Sequence, residues 1–174
     1  MQSRWLILTS VACGTFMATL DSSIVNVALP SITQWFHTGL SHSRWVIISY
    51  LFSIIGLLLF FGKLADTIGR KLVFTVGYLV FTLGSLFCAL APGIESLILA
   101  RGIQGFGAAM LMANGPAIIT LAFPPNERGR ALGVLGMVVS GGLAAGPSLG
   151  GFMIKYFGWA SIFTVNLPLG IAGV

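Results

Sequence analysis

Apolar stretches broken only by short junctions of charge, proline and glycine fill this 174-residue chain from end to end. A helix needs roughly 20 apolar residues to cross the hydrocarbon of a bilayer. Only 7% of the residues are charged and 56% are hydrophobic. A soluble domain carries about 25% charged residues, because its surface must be hydrated. Too few charges remain here to cover a water-facing surface, and the 23 glycines suit close helix packing in lipid. The expected class is an all-α polytopic membrane protein.

Six spans are predicted, at about 5–29, 43–64, 72–91, 97–123, 131–154 and 159–174. Pro30 ends the first, Pro92-Gly93 follows the third and Pro124-Pro125 closes the fourth. The sixth is still running at Val174. With the N-terminus inside, Arg4, Lys63, Arg70, Lys71, Arg128 and Arg130 face the cytoplasm, whereas Arg44 and Lys155 lie outside. Basic residues in short loops favour the cytoplasmic side. A cleaved signal peptide fits poorly, since the first apolar run is too long and lacks a small-x-small site. Gly62 to Gly69 and Gly151 to Gly158 each place two glycines seven apart, three spans from one another. An odd offset inverts the second copy, as in the 3+3 inverted repeats of secondary transporters.

The net charge of +5 does not indicate nucleic-acid binding, because the basic residues sit at span ends rather than along one face. Cys13 and Cys88 lie within apolar runs and read as free thiols. No metal-ligand spacing, cofactor motif or nucleophile–base pairing is present, so no metal, cofactor or catalytic residue is expected. A membrane enzyme is disfavoured on the same ground.

Two residues stand out by their cost. Asp21 falls inside the first span and Arg101 inside the fourth. Each costs about 2.5–3.5 kcal/mol on insertion scales, and such residues usually mark ion or substrate paths. Spans one and four run antiparallel, so both fall in one half of the membrane. They are expected to meet each other or a wet cavity across the bundle interior, and to need an opposing bundle to seal them. A fixed ion pair that only joins two helices is the plainer alternative. Burial favours the neutral carboxyl and a nearby guanidinium favours the carboxylate. Arg101 keeps its charge, which makes Asp21 the candidate proton carrier and Arg101 its modulator. Asn26, Gln104 and Asn114 are candidate cavity-lining polar residues, with Asn166 a weaker one; helix-to-helix hydrogen bonds account for them equally well. His37 and His42 read as solvated loop residues. Trp5, Trp45 and Trp159 are placed at interfaces.

Two further patterns complete the set. Gly62, Asp66, Gly69, Arg70 and Lys71 form a junction in which glycines at both ends permit a tight turn and Asp66 faces basic neighbours. Gly142, Gly146 and Gly150 recur every four residues beside Pro147, a spacing that lets helices approach closely, in a fixed or a sliding contact.

Taken together, Leu20 to Pro30, Gly62 to Lys71, Arg101 to Ala109 and Gly142 to Gly151 resemble, in order, motifs of the drug:proton antiporters of the major facilitator superfamily, fourteen-helix branch. Ser23 stands where Thr is usual and Thr67 where a basic residue is usual. Gly158-Trp159 and Asn166-Leu167-Pro168 are similar to the start of helix six, with Ala160 and Ser161 in place of the common Arg and Trp. The resemblance implies an N-terminal six-helix bundle whose C-terminal partner bundle lies outside this sequence, in the plasma membrane with its N-terminus in the cytoplasm. It also implies a cytoplasmic gate motif at 62–71, an antiporter packing motif on helix five, and exchange of protons for amphipathic or cationic drug-like compounds. The expected partners are therefore lipid, protons, a small-molecule substrate and the second bundle. A carrier of a small metabolite and a non-transporting assembly fragment are the alternatives.

The orientation has a direct check. In a background lacking Cys13 and Cys88, Thr67→Cys should label only from the cytoplasmic side and His42→Cys only from outside. Labelling of Thr67→Cys by an impermeant reagent on intact cells would overturn it.

Overall fold

The computed structural model describes residues 2–173, and all regular structure among them is α-helical. Eight helices follow one another: α1 (Gln2–Trp35), α2 (Leu40–Ser43), α3 (Trp45–Ile68), α4 (Arg70–Ala89), α5 (Ile94–Ala122), α6 (Pro125–Phe157), α7 (Ser161–Thr164) and α8 (Asn166–Gly173). Five segments are long and apolar enough to cross a membrane: Arg4–Trp35, Leu40–Ile68, Arg70–Ala89, Ile94–Ala122 and Pro125–Phe157. The α2–α3 pair forms one span, and α7 with α8 forms a shorter sixth segment; Val174 lies outside the described residues. The chain is a multi-pass membrane protein.

Helix ends differ from the sequence reading for identifiable reasons. The first helix does not stop at Pro30 but runs on to Trp35. Proline removes one backbone donor, a loss that spanning helices tolerate. The real stop is His37, which adopts a left-handed φ of 48°. There the Thr38 amide donates to Thr33 O and the His37 amide to Gln34 O, the paired bonds of a Schellman ending. The second span begins earlier, at Leu40, and extends to Ile68, so Lys63 and Asp66 lie in its last turns. The expected tight turn with glycines at both ends is a single residue, Gly69 (φ 100°), while Gly62 sits inside α3 facing open space. The fifth span starts at Pro125, whose fixed φ suits the first helical turn.

Span one packs most heavily on span five, and span four on spans two and three. Exchanging spans one, two and three for four, five and six carries the one–five pair onto four–two. The repeat seen in sequence has the same handle: Gly69 and Gly158, its two closing glycines, share positive φ (100° and 81°). A 3+3 inverted arrangement follows, with spans one and four at its centre.

Glycine decides how close these pairs come. Gly105 of α5 faces α3, where a Cβ would sit 2.8 Å from Tyr50 O; on Gly84 of α4 a Cβ would sit 2.6 Å from Gln104 Cα. Gly142, Gly146 and Gly150 of α6 are buried against Thr19, Ser23 and Ile24 of α1. Ser23 Oγ donates to Leu143 O at 2.8 Å across that seam. Trp5 and Trp45 are exposed, as an interfacial place requires, whereas Trp159 is buried edge-on to Phe36 and Phe163.

Substitution separates seam from surface. A Cβ on Gly146 would lie 2.5 Å from Ser23 Cβ, so Gly146→Leu should destabilise by about 1–3 kcal/mol or more, the usual overpacking cost. Leu149 is 43% exposed, and Leu149→Ala should stay within about 0.5 kcal/mol. Equal thermal stability of the two variants in detergent would show that the stripe is not a contact.

Candidate functional site

The fourth span is written Arg101-Gly102-Ile103-Gln104-Gly105-Phe106-Gly107, and its helical pitch sorts these residues by face. Arg101 and Gln104, three apart, point inward; Gly105 meets α3, and Gly107 meets the backbone of α4 at Phe81. Close approach on two sides thus surrounds the inward pair with protein. Asp21 lies about three-fifths along α1, 14 residues or roughly 20 Å before its far end.

The two meet. Arg101 Nη1 donates to Asp21 Oδ2 at 2.5 Å, with Asp21 and Arg101 each 1% exposed. Arg101 Nε donates to Val46 O at 3.1 Å, and Nη1 also reaches Gln104 Oε1 at 2.6 Å. Gln104 Nε2 donates to Asp21 Oδ1 (2.9 Å) and to Ser85 Oγ (2.7 Å). Asn166 Nδ2 donates to the same Oδ1 at 3.0 Å and reaches Ser85 Oγ at 3.3 Å. The carboxylate therefore accepts three charge-matched or amide donors from spans four and six. The guanidinium lies 4.0 Å over the Tyr50 ring and 5.7 Å from the Phe163 ring, a cation–π environment that suits the weakly hydrated guanidinium.

The pair is sealed by its own bundle, which corrects the expectation that an opposing bundle must cover it. Tyr50 and Phe163, both fully buried, close the site, and Tyr50 Oη is tied to Ala18 O at 3.1 Å. A cavity of about 880 Å³ opens instead among Gln34, His37, Ala91, Phe157 and Trp159.

The other candidates scatter. Gln104 belongs to the network. Asn26 is exposed and bonded to Ser22 O on its own helix. Asn114 is buried but bonded to Met110 O of its own helix, outside the cluster. Asp66 pairs with Arg70 one turn on, at 2.5 Å, with its side chain 59% exposed; Lys71 follows in the first turn of α4. His42, expected to be only solvated, lies 2.7 Å from Glu95. Among the described residues no group of His, Cys, Asp or Glu could hold a metal ion. Reading the sequence missed Tyr50 and Ser85 and undervalued Asn166. Only Asn166 carried a signal, its place in Asn166-Leu167-Pro168.

A charged pair centred between two inverted three-helix units, in a multi-pass bundle, is the arrangement of a secondary carrier half. The Major Facilitator Superfamily profile matches residues 11–174. The chain belongs to the Major Facilitator Superfamily. It is 42% identical to the riboflavin transporter RibZ of Clostridioides difficile over all of its own length and 38% of RibZ. It is 42% identical to the multidrug resistance protein Stp of Mycobacterium tuberculosis over 97% of this chain and 32% of Stp. The methylenomycin A resistance protein of Streptomyces coelicolor is also 42% identical, over 96% of this chain and 35% of that protein. The chain thus spans about a third of the length of these curated relatives.

The network makes an energetic prediction for this family member. Removing one partner of a buried pair leaves an uncompensated charge, which costs about 3–5 kcal/mol. Arg101→Met should lose that much, and Asp21→Leu added to it should recover part. Strictly additive losses in the double-mutant cycle would show the two charges to be uncoupled.

Proposed function

We propose that this bundle is the proton-handling half of an antiporter that exports amphipathic or cationic drug-like compounds from the cytoplasm, in the plasma membrane with its N-terminus inside. The observation that carries the reading is an ionisable carboxylate held out of water against a permanent cation at the centre of the fold. A protein that needed only to join spans one and four gains little from such a pair, since an apolar contact of equal volume is as stable or more so. Asp21 carries the proton. Arg101, which does not deprotonate, competes with it for the carboxylate. Opening the site to water on one face lets Asp21 take up or give away one proton.

The relatives named for drug and methylenomycin resistance support efflux. The riboflavin transporter favours a second reading, a carrier of a planar metabolite. Both readings use the same proton site. In either, the substrate path has a second wall from a counterpart bundle, for which the longer relatives have room. Gly62, Asp66, Gly69, Arg70 and Lys71 form the inner gate, and Gly142, Gly146, Pro147 and Gly150 the seam along which span five shifts on span one.

In inverted membrane vesicles acidified inside, the complete transporter should accumulate a cationic dye as protons leave. Asp21→Asn should fall to background per molecule of folded protein, because the nearly isosteric amide carries no proton; it should also lose thermal stability, since the Arg101 charge is left uncompensated. Arg101→Lys should fold and couple poorly, lacking the planar fork. Gradient-driven accumulation at the wild-type level by Asp21→Asn would refute the carrier role.

A further inference from the structure

The hydrogen-bond inventory around Asp21 is closed for an ionised carboxylate and one acceptor short for a protonated one. An ionised carboxylate only accepts, so every group facing it must donate, and each does. A proton added to Asp21 goes to Oδ1, because Oδ2 is held by the guanidinium at 2.5 Å. The new O–H then needs an acceptor where two amide N–H groups now point. Gln104 does not turn to provide one, since its Oε1 is already bound by Arg101 Nη1 and Cys88 Sγ. Ser85 Oγ accepts from both amides and donates to Phe81 O at 2.9 Å. Val46 O is engaged by Arg101 Nε.

One acceptor in the cluster is unengaged. Asn166 Oδ1 is buried, on a residue 0% exposed, with no hydrogen-bond partner in the protein. A buried polar atom in that state is costly and calls for an explanation. We infer that Asn166 is the positioning residue that reads the protonation state of Asp21 and passes it to the sixth span. With Asp21 ionised, Nδ2 donates to the carboxylate and to Ser85. With Asp21 protonated, the amide turns about its Cβ–Cγ bond, and Oδ1 accepts the new O–H. One proton is gained at Asp21 Oδ1 and none is lost elsewhere. The turn releases both Nδ2 bonds, including the bond from span six to Ser85 of span three. Asn166 is suited to transmit this, because it opens α8 one residue after α7 ends at Thr164.

The inference rests on the reading of Asp21 as proton carrier, and the test keeps the two apart. The charged and titratable groups facing Asp21 are Arg101 on α5, Tyr50 on α3 and Cys88 on α4, none of which gives a carboxyl signal. Infrared difference spectra across a pH series, on the purified protein in lipid, contain carboxyl bands from this site and from the other acidic residues. The band absent from Asp21→Asn is that of Asp21. A side-chain amide carbonyl change should rise with the same midpoint and vanish in Asn166→Leu. In that variant the Asp21 carboxyl band should move to the higher frequency of an acid without an acceptor. Asn166→Thr, whose hydroxyl donates and accepts, should hold the band near its wild-type place and shows the site intact if Asn166→Leu folds poorly. An Asp21 band that titrates with no accompanying amide change, and keeps its frequency in Asn166→Leu, would make Asn166 a static donor and overturn the inference. The absence of any Asp21-dependent band would overturn the carrier reading, and the inference with it.

Discussion

Two opposite charges drawn out of water, Asp21 and Arg101, organise what surrounds them. Neither side chain is tolerable in the apolar interior alone. Their direct contact at 2.5 Å is only part of the relief, because desolvation can exceed the attraction of a bare pair. The rest comes from Val46 O, Gln104, Ser85 and Asn166, and from the Tyr50 ring beneath the guanidinium. Four spans besides that of Asp21 supply these groups. Placing them fixes the depth and rotation of each span, so the polar cluster acts as the register of an otherwise apolar bundle.

The glycines serve the same end from outside. Gly105, Gly107 and Gly84 bring α3 and α4 so near to α5 that short polar side chains reach one another across the seams. With a methyl group at Gly84 or Gly107 the backbones of α4 and α5 would stand further apart, and Ser85 would no longer reach Gln104. The glycine-rich sequence and the buried charge are therefore one adaptation rather than two.

The lengths of the apolar runs, the junction at Gly69 and the unusual depth of Asp21 and Arg101 were legible from residue order, because each is a local cost that only a membrane bundle relieves. That the two charges would lie in one half of the membrane followed from their places in spans one and four; that they meet each other rather than a wet cavity did not. Sealing did not follow, because it depends on Tyr50 and Phe163, ordinary aromatics in aromatic-rich spans with no local mark of their role. Ser85 was invisible for a similar reason: a serine in a span commonly bonds its own helix, as Ser85 does to Phe81 O, and its second role is set by Gln104 from another span. The end of α1 was misread because proline is a strong stop in water and a weak one where neighbouring helices hold the chain. His37 then supplied the left-handed residue usually given by glycine.

Symmetry gives the cluster its mechanical meaning. Spans one and four occupy equivalent places in the two three-helix units, so the Asp21–Arg101 bond crosses the pseudo-twofold axis between them. Any displacement of one unit against the other must stretch or turn that bond, whereas a bond placed within one unit would ride along unchanged. The seams that would accommodate such a displacement are lined by Gly142, Gly146 and Gly150 on one side and Gly105 on the other, surfaces with few side chains to interlock. The polar cluster stands where such a displacement is resisted, in bonds that join Asp21, Val46 and Ser85 of one unit to Arg101, Gln104 and Asn166 of the other.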